Sequence, residues 1–214
     1  MRGGYRADGG SLKSLAIVAL GKGWEKAPWK KRTHDIWTLN SAWRRFGWDL
    51  LWKGWKAPSA LSAYFELHTP RYLREEWGKS RAHFENLAEL RVPVYVQDAK
   101  AWPTLWKPTT LPRAAIGKAF PRGDYHASSI DWMLAMGLHL GYKRIDVYGT
   151  GFGPTDGGEP ISARAAFEYW VGFAEGLGVK VTVHEPTGAF WIYNVTKERT
   201  PYHFDDSWRL VEDR

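Results

Sequence analysis

The run Ser14–Leu20 (SLAIVAL) constrains this chain more than any other feature. An unbroken apolar stretch, closed by Gly21-Lys22-Gly23, has no polar face to turn to water and reads as a strand buried on both sides. Five further runs, less purely apolar, also read as strands: Asp35–Leu39, Ser62–Leu67, Val92–Val96, Ile145–Tyr148 and Val179–Val183. Pro93 stands near the start of its run, where a missing amide donor is tolerated. Helical patterns lie between the runs. Pro70 suits a first helical position, and 80–90 is amphipathic. Ser128–Leu140 opens on a capping box of Ser128 and Asp131 and stops at Gly141. Ser162–Leu177 repeats that arrangement, followed by Gly178. Strands alternating with helices predict an α/β fold, a mostly parallel sheet with helices on both faces. The polar, proline-containing stretch 97–112 predicts a long surface loop.

A length of 214 residues suits a single domain. Residues 1–13 read as a flexible leader and 14–214 as the folded unit. No apolar run approaches the roughly 18 residues needed to cross a bilayer, and Met1–Arg6 lacks a signal-peptide core. A cytoplasmic protein without membrane association is expected. Cysteine is absent, which excludes disulfides, thiolate metal sites and cysteine nucleophiles. The seven histidines show no metal-ligand spacing such as His-x-His, so no metal residues are assigned. Thirty Lys and Arg against 23 Asp and Glu give a net charge of +7, which suits anionic ligands.

Tryptophan is the compositional anomaly: there are 14 in all. Trp24, Trp29, Trp37, Trp43, Trp48, Trp52 and Trp55 fall in the segment 24–56, interleaved with Lys26, Lys30, Lys31, Arg32, Arg44, Arg45, Lys53 and Lys56. Aromatic faces beside cations can stack bases and hold phosphates of single-stranded nucleic acid. They can equally bind a sugar or a partner protein, or pack as a lid. The expectation is a basic aromatic surface beside the ligand cleft.

Ligands of open α/β sheets collect beyond the strand carboxyl ends. Polar residues fall there repeatedly: Gly21, Lys22 and Gly23; Asn40 and Ser41; Glu66 and His68; Gln97 and Asp98; Gly149, Thr150 and Gly151. Ser128 and Ser129 open a helix whose amides and dipole can hold a phosphate. Each residue alone also reads as a turn or cap. Gly21-Lys22-Gly23 is neither a Walker loop, since no Gly-Lys-Ser/Thr follows, nor a dinucleotide fingerprint, since Lys26 occupies the third glycine position. His126 and His184 also adjoin strand or helix ends, while His83 and His139 read as packing or surface residues.

The order of these motifs resembles a Rossmann-like superfamily. Its members include the 6-hydroxymethylpterin diphosphokinase-like proteins, the bacterial sialyltransferases that use a CMP-sugar donor, and similar phage proteins. The most specific block is 126–152, HASSIDWMLAMGLHLGYKRIDVYGTGF. It is similar to that family's serine-rich helix start, helix–strand joint and glycine turn. The resemblance spans roughly 14–184. It implies that Gly21 and Gly23 approach donor phosphates, and that Asn40 binds ribose or base. It further implies that Ser128 and Ser129 bind phosphate, and that Gly149, Thr150 and Gly151 line the nucleotide. Two positions depart from the pattern: glycine stands at 151, where the family commonly has an acidic residue, and the first turn lacks Gly-Pro-Ser.

The implied function is binding of a nucleotide or nucleotide sugar, with transfer of a glycosyl or diphosphate group by a phage-type enzyme. A divalent metal accompanying the donor is part of that implication. Lys22 and Arg164 are candidate cations for the leaving phosphates, and Glu66 and His68 are candidates to activate an acceptor hydroxyl. The alternative is a non-catalytic nucleic-acid- or protein-binding module on the same scaffold. Glycine at 151 favours that alternative slightly.

Overall fold

The structure is a computed structural model that describes residues 14–30, 33–45, 60–151 and 161–184. The leader 1–13, Trp48, Trp52, Trp55 and Lys53 lie outside the described residues. Among the described residues, seven strands form one sheet: β1 (Ser14–Val18), β2 (Asp35–Leu39), β3 (Leu61–Glu66), β4 (Val94–Val96), β5 (Pro108–Thr110), β6 (Arg144–Tyr148) and β7 (Lys180–Val183). Every pairing is parallel, in the order β5-β4-β3-β2-β1-β6-β7.

Six of these strands match the apolar runs to within two residues at each end. The seventh corrects an expectation, since Pro108–Thr110 pairs with Val94–Val96 inside the stretch read as loop. That strand is short, sits at the sheet edge and offers only Pro and Thr, so it carries no apolar signature.

Six α-helices among the described residues accompany the sheet: α1 (Ala42–Arg45), α2 (Pro70–Glu75), α3 (Arg81–Ala88), α4 (Arg113–Ala119), α5 (Ser129–His139) and α6 (Ile161–Gly176). Strand side chains alternate between faces, and each face has its own core. Leu15, Ile17, Trp37, Phe65 and Val147 pack with Ile116 of α4, Met133 of α5 and Trp170 of α6. Ala16, Val18, Ile36, Tyr64 and Val94 pack with Leu73 of α2 and Leu87 of α3. Pro70 begins α2 behind Thr69, whose hydroxyl accepts from the Tyr72 amide at 3.1 Å. The Ser128–Asp131 capping box starts α5 as expected.

From β1 the chain builds outward to β5, then returns to place β6 on the other side of β1. The turns after β1 and β6 therefore meet at the switch in strand order. The Gly21 amide donates to the Gly149 carbonyl at 2.7 Å, and the Ala19 amide to the Tyr148 carbonyl at 2.8 Å. No side chain fits between them: a Cβ on Gly21 would lie 2.5 Å from the Gly149 oxygen.

Candidate functional site

Glu66 ends β3 on the face covered by α3, and its carboxylate is fully buried. It accepts from His68 Nδ1 at 2.7 Å and from His83 Nε2 at 3.0 Å. Trp43 Nε1 donates to His83 Nδ1 at 3.1 Å. An indole nitrogen only donates, so His83 carries its proton on Nε2. A carboxylate only accepts, so His68 carries its proton on Nδ1, leaving the Nε2 lone pair open. Burial pushes the Glu66 carboxyl up, but the hydrogen bonds from His68 and His83 outweigh it and hold the group below its ordinary range. His68 itself is a quarter exposed, stacks on Tyr72 at a centroid distance of 5.5 Å and lies tilted against Trp77 at 4.3 Å. The arrangement fixes the tautomer and orientation of the His68 ring from behind.

His68 opens onto a pocket of about 280 Å³ at the carboxyl ends of β3, β4 and β5. Leu67 and His68 follow β3, Gln97 follows β4, and Leu111 and Arg113 follow β5; the opposite wall is His126–Ser129 and Trp132 of α5. Of the sequence candidates, the pocket therefore joins His68, Ser128 and Ser129, with Glu66 directly behind. The α5 N-terminus is less open than expected. The buried Asp131 carboxylate accepts from the Ala127 amide at 2.7 Å, the Ser128 amide at 3.1 Å and the Ser128 hydroxyl. Burial raises the Asp131 carboxyl above its ordinary value, against those hydrogen bonds. Ser129, the amides of the first helical turn and Arg113 are the donors that an anion could meet there.

Asn40 stands at the carboxyl end of β2 with φ +52°, a left-handed conformation that asparagine adopts more readily than most residues. Its amide donates to the Phe65 carbonyl at 2.9 Å and its carbonyl accepts from the Tyr64 hydroxyl at 2.7 Å. Its side-chain oxygen is buried and accepts from no group among the described residues. Burial keeps the Tyr64 phenol well above its ordinary pKa.

Neither Asn40 nor the remaining candidates line the pocket. Gly21 and Gly149 pack on each other, Gly23 holds φ +90° ahead of a single 3-10 turn (Trp24–Lys26), and Thr150 is buried. Lys22 is exposed on the first turn, and Gly151 is half-buried. Arg164 pairs with Glu168 along α6 at 2.9 Å. Trp37 departs from the expected aromatic surface, being 3% exposed between Phe65 and Tyr142 in the core. Trp24, Trp29 and Trp43 are half-buried against the other core. Among the described residues no group of three or more His, Asp or Glu side chains is placed to hold a metal ion. Sequence reasoning missed Arg113 and Trp132, and took His83 for a packing or surface residue. Arg113 directly follows the Pro112 that ends the strand-bearing stretch.

No protein-family model matches this sequence, and no curated protein matches it. Solved structures do. The sialyltransferase CstII from Campylobacter jejuni, in complex with the substrate analogue cytidine-5'-monophosphate, aligns over 82% of this chain and 81% of its own, at 14% identity and a TM-score of 0.53. The monofunctional α-2,3-sialyltransferase Cst-I from Campylobacter jejuni aligns over 80% and 75%, at 14% identity and a TM-score of 0.52. CST-II in complex with a trisaccharide acceptor and CMP gives 80% of both chains, 13% identity and 0.51. At such identities the likeness is one of fold, and in fold the expected resemblance to bacterial sialyltransferases holds. No described helix is long and apolar enough to cross a membrane.

Proposed function

We propose that this protein is a nucleotide-sugar-dependent glycosyltransferase, with His68 as the general base for the acceptor hydroxyl. The observation that carries the reading is the relay Trp43–His83–Glu66–His68, which opens its one uncommitted lone pair at the edge of the pocket. Relays of this kind fix a histidine tautomer for proton abstraction. The acceptor oxygen attacks the anomeric carbon as its proton passes to His68 Nε2. The bond from that carbon to the donor phosphate oxygen breaks, and the nucleotide leaves with the bonding pair. Ser129, Arg113 and the first amides of α5 are set to stabilise the departing phosphate. Asn40, with its unpartnered buried oxygen, is the candidate for a ribose hydroxyl or base amine. The fold shared with transferases solved with CMP supports this choice of ligand class.

A thermal-shift screen tests it, because a ligand that binds only the folded state raises the melting temperature. The arms are nucleoside mono-, di- and triphosphates, nucleotide sugars and single-stranded DNA. Stabilisation by a nucleotide or nucleotide sugar, with release of free nucleotide that disappears in His68→Asn, is expected. Stabilisation by single-stranded DNA alone would instead support a binding module.

A further inference from the structure

Lys79 stands half-buried in the turn between α2 and α3, and neither the relay nor the pocket uses it. Left-handed Gly78 (φ +55°) ends the α2 turn, and the Lys79 amide donates to the Leu73 carbonyl at 2.7 Å. With its backbone so fixed, the side chain crosses to the carboxyl end of β2. There the ammonium donates to the Ser41 hydroxyl at 2.9 Å and lies over the Trp77 ring, 4.5 Å from its centroid. Among the described residues no carboxylate pairs with it. The arginines of these helices differ: Arg71 pairs with Glu75 and Arg81 with Glu85. An ammonium carries three donors, so two remain on Lys79. Ser41, having accepted from Lys79, keeps its hydroxyl proton to donate. Tyr72, 42% exposed, packs one face on His68 at 5.5 Å and 13°. Centroid distances of 4.3 Å from Trp77 to His68 and 6.1 Å from Trp77 to Tyr72 put Trp77 on that same side. The other face of Tyr72 is open among the described residues.

A half-buried cation held only by a hydroxyl and a ring has lost hydration without gaining a counter-charge, so an anion binds there at an advantage. A lysine ammonium is a point charge that suits phosphate, whereas paired carboxylate recognition favours the arginine fork. An open aromatic face beside a cation takes a nucleobase. We propose that Lys79 and Ser41 hold a phosphate of the acceptor while Tyr72 stacks its nucleobase, so that the hydroxyl brought to His68 belongs to a nucleotide. This rests on the reading of His68 as the general base and names the acceptor class for it. The transfer is the one written above, with a nucleotide hydroxyl as the attacking oxygen and its proton passing to His68 Nε2. His68 then lies between two anion sites: Lys79 and Ser41 on the β2 side, Arg113 and Ser129 on the pocket side. The acceptor phosphate belongs either to a free nucleotide or to a single strand of nucleic acid, which the probes below separate.

The probes are thymidine, thymidine monophosphate, an oligothymidylate of about ten nucleotides, and CMP for the donor site. Dissociation constants are measured for wild type, Lys79→Gln, Tyr72→Leu and Arg91→Gln. Glutamine keeps a donor for Ser41, so Lys79→Gln removes the charge and spares the fold. Arg91→Gln removes the same charge beyond the other end of α3, where the guanidinium meets Glu89 and the Ala88 carbonyl. Lys79→Gln should weaken both phosphate-bearing thymidine probes about tenfold and lower the salt slope of the strand by about one, leaving thymidine and CMP unaffected. Tyr72→Leu should weaken all three thymidine probes about tenfold, and Arg91→Gln none. Added CMP should not displace the strand. Much tighter binding of the strand than of thymidine monophosphate identifies a nucleic-acid acceptor, and equal binding a free nucleotide. Equal weakening by Lys79→Gln and Arg91→Gln, or complete displacement of the strand by CMP, overturns the site. Binding of CMP without either phosphate-bearing thymidine probe overturns this proposal and leaves the donor reading intact. A wild type that binds the strand but not CMP overturns the donor reading, and with it the strand's assignment as acceptor.

Discussion

The amide of Gly21 donates to the carbonyl of Gly149 at 2.7 Å, which latches the turn after β1 to the turn after β6. Glycines after a first strand were expected to approach a phosphate. In the structure Gly21 meets Gly149, because the switch in strand order brings the turns after β1 and β6 into contact. Gly149 is doubly constrained, by φ +68° and by the Ala19 oxygen, 2.6 Å from where a Cβ would sit. Gly149→Ala should therefore cost more than the roughly 1–2 kcal/mol of left-handed backbone alone. Gly21→Ala should also destabilise, through the clash with the Gly149 oxygen. Urea unfolding of both variants measures this, and wild-type midpoints would disprove the latch.

Glu66→Gln isolates the relay. A glutamine amide offers one acceptor and one donor where the carboxylate offered two acceptors to His68 and His83. Trp43 holds the His83 tautomer, so the mismatch falls on His68, which must turn its proton to Nε2. The base then has no lone pair for the acceptor. We expect the transfer rate to fall by about 10²-fold or more, the scale of general-base catalysis, with donor affinity held within about twofold. Rapid-quench kinetics and equilibrium titration give the two quantities. A rate unaffected by the substitution would mean that His68 is not the base.

The sheet was legible because strands buried on both faces must be largely apolar, and Ser14–Leu20 leaves no other reading. The α5 start was legible because a capping box is a local device of four residues. What escaped depends on packing between distant parts of the chain. His83 reaches Glu66 only when α3 lies across β3, and nothing in its helical spacing distinguishes it from a core histidine. Arg113 follows an edge strand of Pro and Thr whose partner, β4, supplies all of the pairing information. Trp37 alternates into the core by the period of β2, a signal outweighed in the sequence by the surrounding tryptophans and cations. A pocket at the strand carboxyl ends was readable, but its position at β3–β5, away from the β1–β6 junction, was not.

Acid should unfold the protein through Asp146 as well as Glu66. Asp146 is fully buried on β6 and accepts from Arg144 Nε at 2.7 Å, His34 Nε2 at 3.0 Å and His184 Nε2 at 3.1 Å. Burial raises its carboxyl, but the hydrogen bonds from Arg144, His184 and His34 outweigh it and leave the group below its ordinary value of 3.8. A carboxyl lowered in the folded state contributes stability that is complete above its unfolded pKa and is lost as pH falls through the folded one. Asp146→Asn should be less stable at about pH 7, and should lose less than wild type between about pH 5 and pH 3. Parallel denaturation midpoints across that range would contradict it.

Trp43→Phe tests whether the Trp-rich segment serves the site from within the protein. The indole is half-buried against the α3 side of the core, and its N–H is the donor that fixes His83. Phenylalanine keeps most of the apolar contact and removes the donor, leaving His83 Nδ1 buried without a partner. Loss of one such bond costs about 1–3 kcal/mol. The effect should also reach His68, because a freed His83 can present its bare nitrogen to Glu66 and weaken the carboxylate's hold on the base. We therefore expect a lower melting temperature and a transfer rate reduced less than in Glu66→Gln, with donor affinity unchanged. If Trp43 acted instead as a stacking surface for the ligand, Phe would preserve stability and Trp43→Ala would weaken binding. Measuring melting temperature, rate and donor affinity for both substitutions separates the two roles.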